Sequence, residues 1–221
     1  MASASQPFYD RLNLTKSVVV RSEPADYLEP YEQAARRHRG GFDSLLWASP
    51  RSQRTRFQAI TRACELDGRS VLDAGCGRAD LMGYLLEQKI FPADYIGLEG
   101  VGALADEAEA QKYPVTRILR GDFVLDPGKL FVGAEIVIFS GSLNTLDDPA
   151  FYATLDRAID ATAHALVFNF LNTTALAGKD YLHWRRTEHV ISHLRSRCND
   201  IHTFSDYLAG DCTIAVFKPV E

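Results

Sequence analysis

A chain of 221 residues, 46% hydrophobic and 24% charged, suffices for one sizeable α/β domain and is short for two independent ones. Its formal net charge of −5 lacks the basic footprint of a general nucleic-acid binder, although a local basic face can sit inside an acidic total. No apolar run approaches the ~20 residues that span a bilayer, and Met1–Phe8 carries no apolar signal-peptide core, so a soluble, cytoplasmic protein is expected.

The first ~65 residues read as a helical segment, by the same spacing rules that mark helix starts and stops. One helix is expected from near Pro24, capped by Ser22, with Tyr27, Leu28, Tyr31, Ala34 and Ala35 at helical apolar spacing. After the break at Gly40-Gly41, a second opens at Ser49-Pro50, a cap followed by proline at the first helical position, and turns Phe57, Ile60, Ala63 and Cys64 inward. From Arg69 the pattern changes to short apolar runs alternating with helices. Strands are expected at 70–74, 95–98, 115–119, 135–139 and 165–170, with helices at 81–87, 103–110 and 149–163. A long helix from Tyr181 to about Arg197 then precedes two runs, 201–204 and 212–217, too close together for a helical crossover. Continuous apolar strands separated by helices give a doubly wound, mostly parallel sheet ending in an antiparallel hairpin. The expected organisation is a helical cap or lid over residues 1–68 and one compact unit over 69–221.

Ligands of such sheets sit outside the carboxyl ends of the strands, which selects the loops after Ala74, Leu98, Leu119 and Phe139. The first reads Asp73-Ala74-Gly75-Cys76-Gly77-Arg78-Ala79-Asp80, where two glycines allow a sharp turn and close approach of a bulky ligand to the main chain. The dinucleotide pattern G-x-G-x-x-G/A fails here: its last position falls on Asp80, a carboxylate beside where a pyrophosphate would lie. A ligand without pyrophosphate and with positive groups, such as S-adenosylmethionine, meets both objections. Glu99 ends the second strand ~20 residues beyond the glycines, placed to accept from both ribose hydroxyls. In Gly121-Asp122-Phe123 the Asp122 carboxylate can accept from an adenine amino group while the Phe123 N–H faces a ring nitrogen.

VLDAGCGRADL, YIGLEG, RGDF and EIVIFSGSLNTL, in this order, make the chain from about residue 69 to its end resemble the class I, seven-stranded, Rossmann-like methyltransferases that use S-adenosylmethionine. The resemblance implies that Asp73, Ala74, Gly75 and Gly77 surround the methionine end of the cofactor. It further implies that Glu99 and Gly100 hold the ribose, Asp122 and Phe123 the adenine, and that Ser140 and Gly141 line the wall near the reacting sulfur. The sequence departs from the family at Ala79, where a third glycine is common.

The acceptor side is open. Methyl transfer depends on holding the nucleophile in line and excluding water, and a base is needed only where the acceptor must lose a proton. Candidates are Ser142, Asn144, Asn169 and Asn172 after the fourth and fifth strands, His183, Trp184 and His189 further on, and Tyr27, Tyr31, His38 and Trp47 before the sheet; His183, His189 and Asn144 stand for catalysis. No Asn/Asp-Pro-Pro-Tyr/Phe motif follows the fourth strand and no Pro-Cys pair is present, against methylation of DNA adenine amines and of cytosine carbon-5. Arg185, Arg186, Arg195 and Arg197 form either an anion site or a solvated helix face. The four cysteines, Cys64, Cys76, Cys198 and Cys212, have neither metal-ligand nor C-x-x-C spacing and are expected to be reduced thiols, with no bound metal. A small-molecule methyltransferase leads; a protein or RNA methyltransferase and a non-catalytic cofactor-binding regulator remain.

Overall fold

The computed structural model describes residues 27–38 and 40–219. After α1 (Glu29–His38) and a 3-10 turn at Phe42–Leu45, α2 (Pro50–Ala63) opens on a reciprocal cap: the Ser49 hydroxyl accepts from the Ser52 N–H, and the Ser52 hydroxyl accepts from the Ser49 N–H, each at 3.1 Å. Two donors that would be orphaned at a helix start are thereby satisfied. Ser49→Ala is expected to cost about 1 kcal/mol, read as a lower denaturant midpoint at unchanged slope. Ser22 and Pro24, the expected cap and opening of the first helix, lie outside the described residues, but Tyr27 and Leu28, expected within it, form a turn, and the helix opens only at Glu29.

The remaining elements are β1 (Ser70–Ala74), α3 (Asp80–Glu87), β2 (Asp94–Glu99), α4 (Gly102–Ala110), β3 (Thr116–Arg120), a 3-10 turn at Pro127–Leu130, β4 (Ile136–Ser140), α5 (Asp148–Ala161), β5 (Ala165–Leu171), α6 (Thr187–Leu194), β6 (Asp200–Phe204) and β7 (Asp211–Phe217). They build a seven-stranded sheet in the order β3-β2-β1-β4-β5-β7-β6. The first five strands are parallel, and β7 runs antiparallel between β5 and β6. The chain order reverses between β1 and β4, which places the switch point, and the expected ligand site, beside the loop that follows β1.

The sheet is buried on both faces. Leu72, Val137, Phe139, Leu166 and Phe168 meet α5 and α6 through Phe151, Leu155, Val190 and Leu194. Val71, Ile138, Val167 and Ala215 on the opposite face meet Phe57 and Ile60 of α2 and Leu81 and Leu85 of α3. Helix α2 therefore shares the main core with the sheet, whereas α1 packs with Leu45, Val101 and Leu104 in a small cluster of its own. Among the described residues, no helix is long and apolar enough to cross a membrane.

One expected element is corrected. The long helix over Tyr181–Arg197 is only Thr187–Leu194. Residues 182–186 instead run without helix across the carboxyl edge of the sheet, tied down by the His183 N–H to the Asn144 carbonyl (2.8 Å) and the Arg185 N–H to the Leu171 carbonyl (2.9 Å). The Arg185 side chain is buried: it donates to the Leu146 carbonyl at 2.6 Å, lies 3.9 Å over the Phe151 ring and pairs with Asp148. These long-range contacts hold the guanidinium inside where the helix is interrupted, although Nη1 has no hydrogen-bond partner.

Candidate active site

The turn after β1 is shaped by steric exclusion. Gly75 and Gly77 take φ of 76° and 57°, the left-handed region that only glycine enters freely. A Cβ on Gly75 would stand 2.4 Å from the Ser142 Cβ, because the loop after β4 crosses here and the Ser142 hydroxyl donates to the Ala74 carbonyl at 2.6 Å. Ala79, the departure from the family pattern, adopts φ 60° as the residue before α3, so its methyl group carries left-handed strain of about 1–2 kcal/mol.

Around this turn lies a cavity of about 1090 Å3. Glu99, buried at the end of β2, lines it and braces the glycine loop: its Oε2 accepts from the Gly77 N–H at 2.7 Å and its Oε1 from the Val101 N–H at 2.8 Å. Burial pushes the Glu99 carboxyl up to about 7 despite those two bonds. Asp73 is raised to about 7 for the same reason; its Oδ2 accepts from the Tyr95 hydroxyl and its Oδ1 has no protein partner. Asp122 folds its own loop, Oδ1 accepting from the Val124 N–H (2.8 Å) and the Leu125 N–H (3.2 Å), while Oδ2 accepts from the Tyr27 hydroxyl at 2.6 Å. Phe123 stands edge-on to Phe139, ring centroids 5.2 Å apart, and supplies an apolar wall. Across the switch point Ser140 is buried with its Oγ unpartnered, and Gly141 (φ 74°) lies under Trp47, whose ring a Cβ would approach to 2.9 Å.

The structure thus gathers Asp73, Gly75, Gly77, Glu99, Gly100, Asp122, Phe123, Ser140 and Gly141 around one cavity. Ala74 is the exception; it is fully buried and meets the site only through its carbonyl bond to Ser142. Of the acceptor candidates, Tyr27, Tyr31, His38, Trp47, Ser142 and Asn144 line the cavity. Asn144 has a tethering task, its Oδ1 accepting from the Leu171 N–H at 3.1 Å. His183, Trp184 and His189 are exposed and do not line it, because the chain reaches α6 only at Thr187. Asn169 is fully buried opposite Ser140, and Asn172 donates to Thr187 at 3.4 Å; neither lines the cavity. Of the arginine group, Arg185 is buried as described, Arg197 pairs with Asp156 and Asp160, and Arg186 and Arg195 are exposed; none of the four lines the cavity. Sequence reasoning missed Arg56, Gln53 and Tyr181, which also line the cavity. No group of three or more His, Cys, Asp or Glu suited to a metal ion occurs among the described residues.

No known family profile and no curated protein matches this sequence. Solved structures do. A chain of the complex formed by the Haloferax volcanii Trm112 methyltransferase activator superposes with a TM-score of 0.67 at 14% identity, covering 86% of this chain and 98% of that one. The DhpI–SAH complex gives 0.62 at 15% identity, covering 87% and 95%. Magnesium protoporphyrin IX methyltransferase (ChlM) from Synechocystis PCC 6803 with bound SAH gives 0.60 at 14%, covering 76% and 84%. The chain has the class I methyltransferase fold. At these identities the likeness extends to the path of the backbone, and the strand order β3-β2-β1-β4-β5-β7-β6 with β7 reversed is its content here.

Proposed function

We propose that the protein is an S-adenosylmethionine-dependent methyltransferase acting on a small-molecule acceptor. The observation that carries the reading is Glu99: a buried carboxylate at the end of β2, facing the cavity and bonded back to the glycine turn that must cradle the ligand. The residues fit the cofactor. Asp73 Oδ1 is a buried, unpartnered acceptor for an amino group, Glu99 can accept from ribose hydroxyls, and Asp122 Oδ2 can accept from the adenine amine beside the Phe123 ring. S-adenosylmethionine, when bound, supplies a methyl group on a positively charged sulfur. Ionised Asp73 and Glu99 favour that cation, while Asp80, bonded to Gln53 at 3.0 Å near the start of α3, disfavours a pyrophosphate.

The small acceptor is supported by the cap. Tyr27 closes on Asp122, Leu28 on Gly100, Leu45 on Gly77 and Trp47 on Gly141, so residues 27–47 cover each cofactor loop from outside. A volume of about 1090 Å3 exceeds the usual range of a single-ligand pocket (about 300–1,000 Å3), leaving room for cofactor and a compact acceptor. The described residues before β1 act on this reading as a cap of which α2 is the core-anchored part, and the four unpaired cysteines suit the cytoplasm.

Asp122→Ala is expected to weaken S-adenosylmethionine about tenfold, since one charge-assisted bond is lost, as measured by calorimetric titration. For the acceptor, the test is transfer of labelled methyl from the cofactor in a cell extract split by a size-exclusion membrane. Label in the low-mass fraction is expected. Label confined to protein or RNA would replace the small-molecule reading with a macromolecular one.

A further inference from the structure

We infer that Arg56 is the carboxylate-binding residue of this cavity, an assignment that rests on the methyltransferase reading above. Arg56 sits on α2 one turn after Gln53, only 7% exposed, yet lines the cavity. Its Nε (2.7 Å) and Nη2 both donate to one oxygen, Oδ2, of the fully buried Asp211 at the start of β7. The other oxygen of Asp211 is taken by the Tyr207 hydroxyl. The Trp47 ring lies 4.9 Å from the guanidinium carbon and covers one face. The fork is therefore fixed along one edge and over one face.

A guanidinium carries five N–H donors. Asp211 takes two, and no other acceptor among the described residues is bonded to Arg56. A buried ion pair contributes little to stability that an apolar pair could not supply, and the donors Asp211 leaves free belong to a residue that lines the cavity. A clamped fork with free donors is instead preorganised for a planar, two-oxygen anion. The other arginine and lysine residues of the lining, Arg37 and Lys179, are exposed. Asp73 offers an unpartnered acceptor in the same cavity. Together the buried cation and the buried carboxylate suit a ligand that carries a carboxylate as well as a positive centre. The carboxylate is either that of the methionine end of the cofactor or that of an acidic acceptor seated beside it.

Two variants test this without leaving an unpaired buried charge. Arg56→Lys keeps the charge and loses the fork; Arg56→Met with Asp211→Asn removes the pair together. Calorimetric titrations use S-adenosylhomocysteine, then 5′-methylthioadenosine, which has the nucleoside and no amino acid. If Arg56 holds the cofactor, S-adenosylhomocysteine weakens at least tenfold in both variants while 5′-methylthioadenosine is unchanged. If it holds the acceptor, S-adenosylhomocysteine is unchanged. In that case benzoate, titrated into protein saturated with S-adenosylhomocysteine, binds wild type at least tenfold more tightly than benzamide, and both variants lose that preference. A parallel fall of both nucleosides, or no response to any of these probes, overturns the assignment and leaves Arg56 a structural residue. Wild type that binds neither nucleoside would instead sink the methyltransferase reading, and this assignment with it.

Discussion

Glu99→Ala is expected to lower affinity for S-adenosylmethionine at least 100-fold, the largest single loss in the site. On the proposed reading the carboxylate accepts from two ribose hydroxyls, and hydrogen bonds to a charged group contribute about 1.5–3 kcal/mol each, so two exceed the roughly 2.7 kcal/mol of a 100-fold change. The same side chain holds the Gly77 and Val101 N–H groups, so its removal also loosens the turn that shapes the floor of the cavity. Glu99→Gln should fall less, at least tenfold, because the amide keeps one acceptor and sets its NH2 against a backbone donor. Neither variant should unfold, since water in the cavity can take the two released N–H groups and burial makes the ionised carboxylate costly. Calorimetric titration with a thermal melt on each sample separates the two effects.

The second expected result concerns pH. Asp73 and Glu99 are raised from ordinary carboxylate values to about 7, mainly by burial. In the cofactor-free protein the unfolded chain releases both protons first, from about pH 4, while the folded chain keeps them until about pH 7. Stability contributed by these groups is thus present at acid pH, falls by about 1.4 kcal/mol per pH unit per group through that window, and levels off above it. Asp73→Asn removes one of the two slopes, so the difference between wild-type and variant denaturation curves at pH 5, 6, 7 and 8 isolates it. The cofactor's positive sulfur and amino group favour the ionised forms, so binding should release protons near pH 7 and tighten from pH 6 to 8. Calorimetry in buffers of different ionisation enthalpy reads that release directly; proton uptake on binding would contradict it.

How far the sequence could be read follows from which interactions are local. Strands such as Ile136–Ser140 and Ala165–Leu171 are continuous apolar runs because both sheet faces are covered, and they were legible within a residue or two. That Glu99 and Asp122 would stand at the cavity was legible because strand ends and switch points are set by the order of elements. Residues 182–186 misled because the burial of Arg185 depends on Leu146 and Phe151, far away in sequence. Arg56 was hidden for a similar reason. On α2 it reads as a solvated charge beside Phe57, and its partner Asp211 stands 155 positions away. The Tyr27 contact to Asp122 crosses 95 positions and has no local signal either.

The proposed function requires that this cavity bind S-adenosylmethionine. Its most direct test is calorimetric titration of the wild-type protein with S-adenosylmethionine and, separately, with NAD. Micromolar binding of the first and none of the second is expected, because on the proposed reading Glu99 and Asp73 favour a cationic nucleoside and Asp80 opposes a pyrophosphate. Binding of NAD, or of neither ligand, would contradict it and leave a Rossmann-like sheet whose ligand must be sought elsewhere.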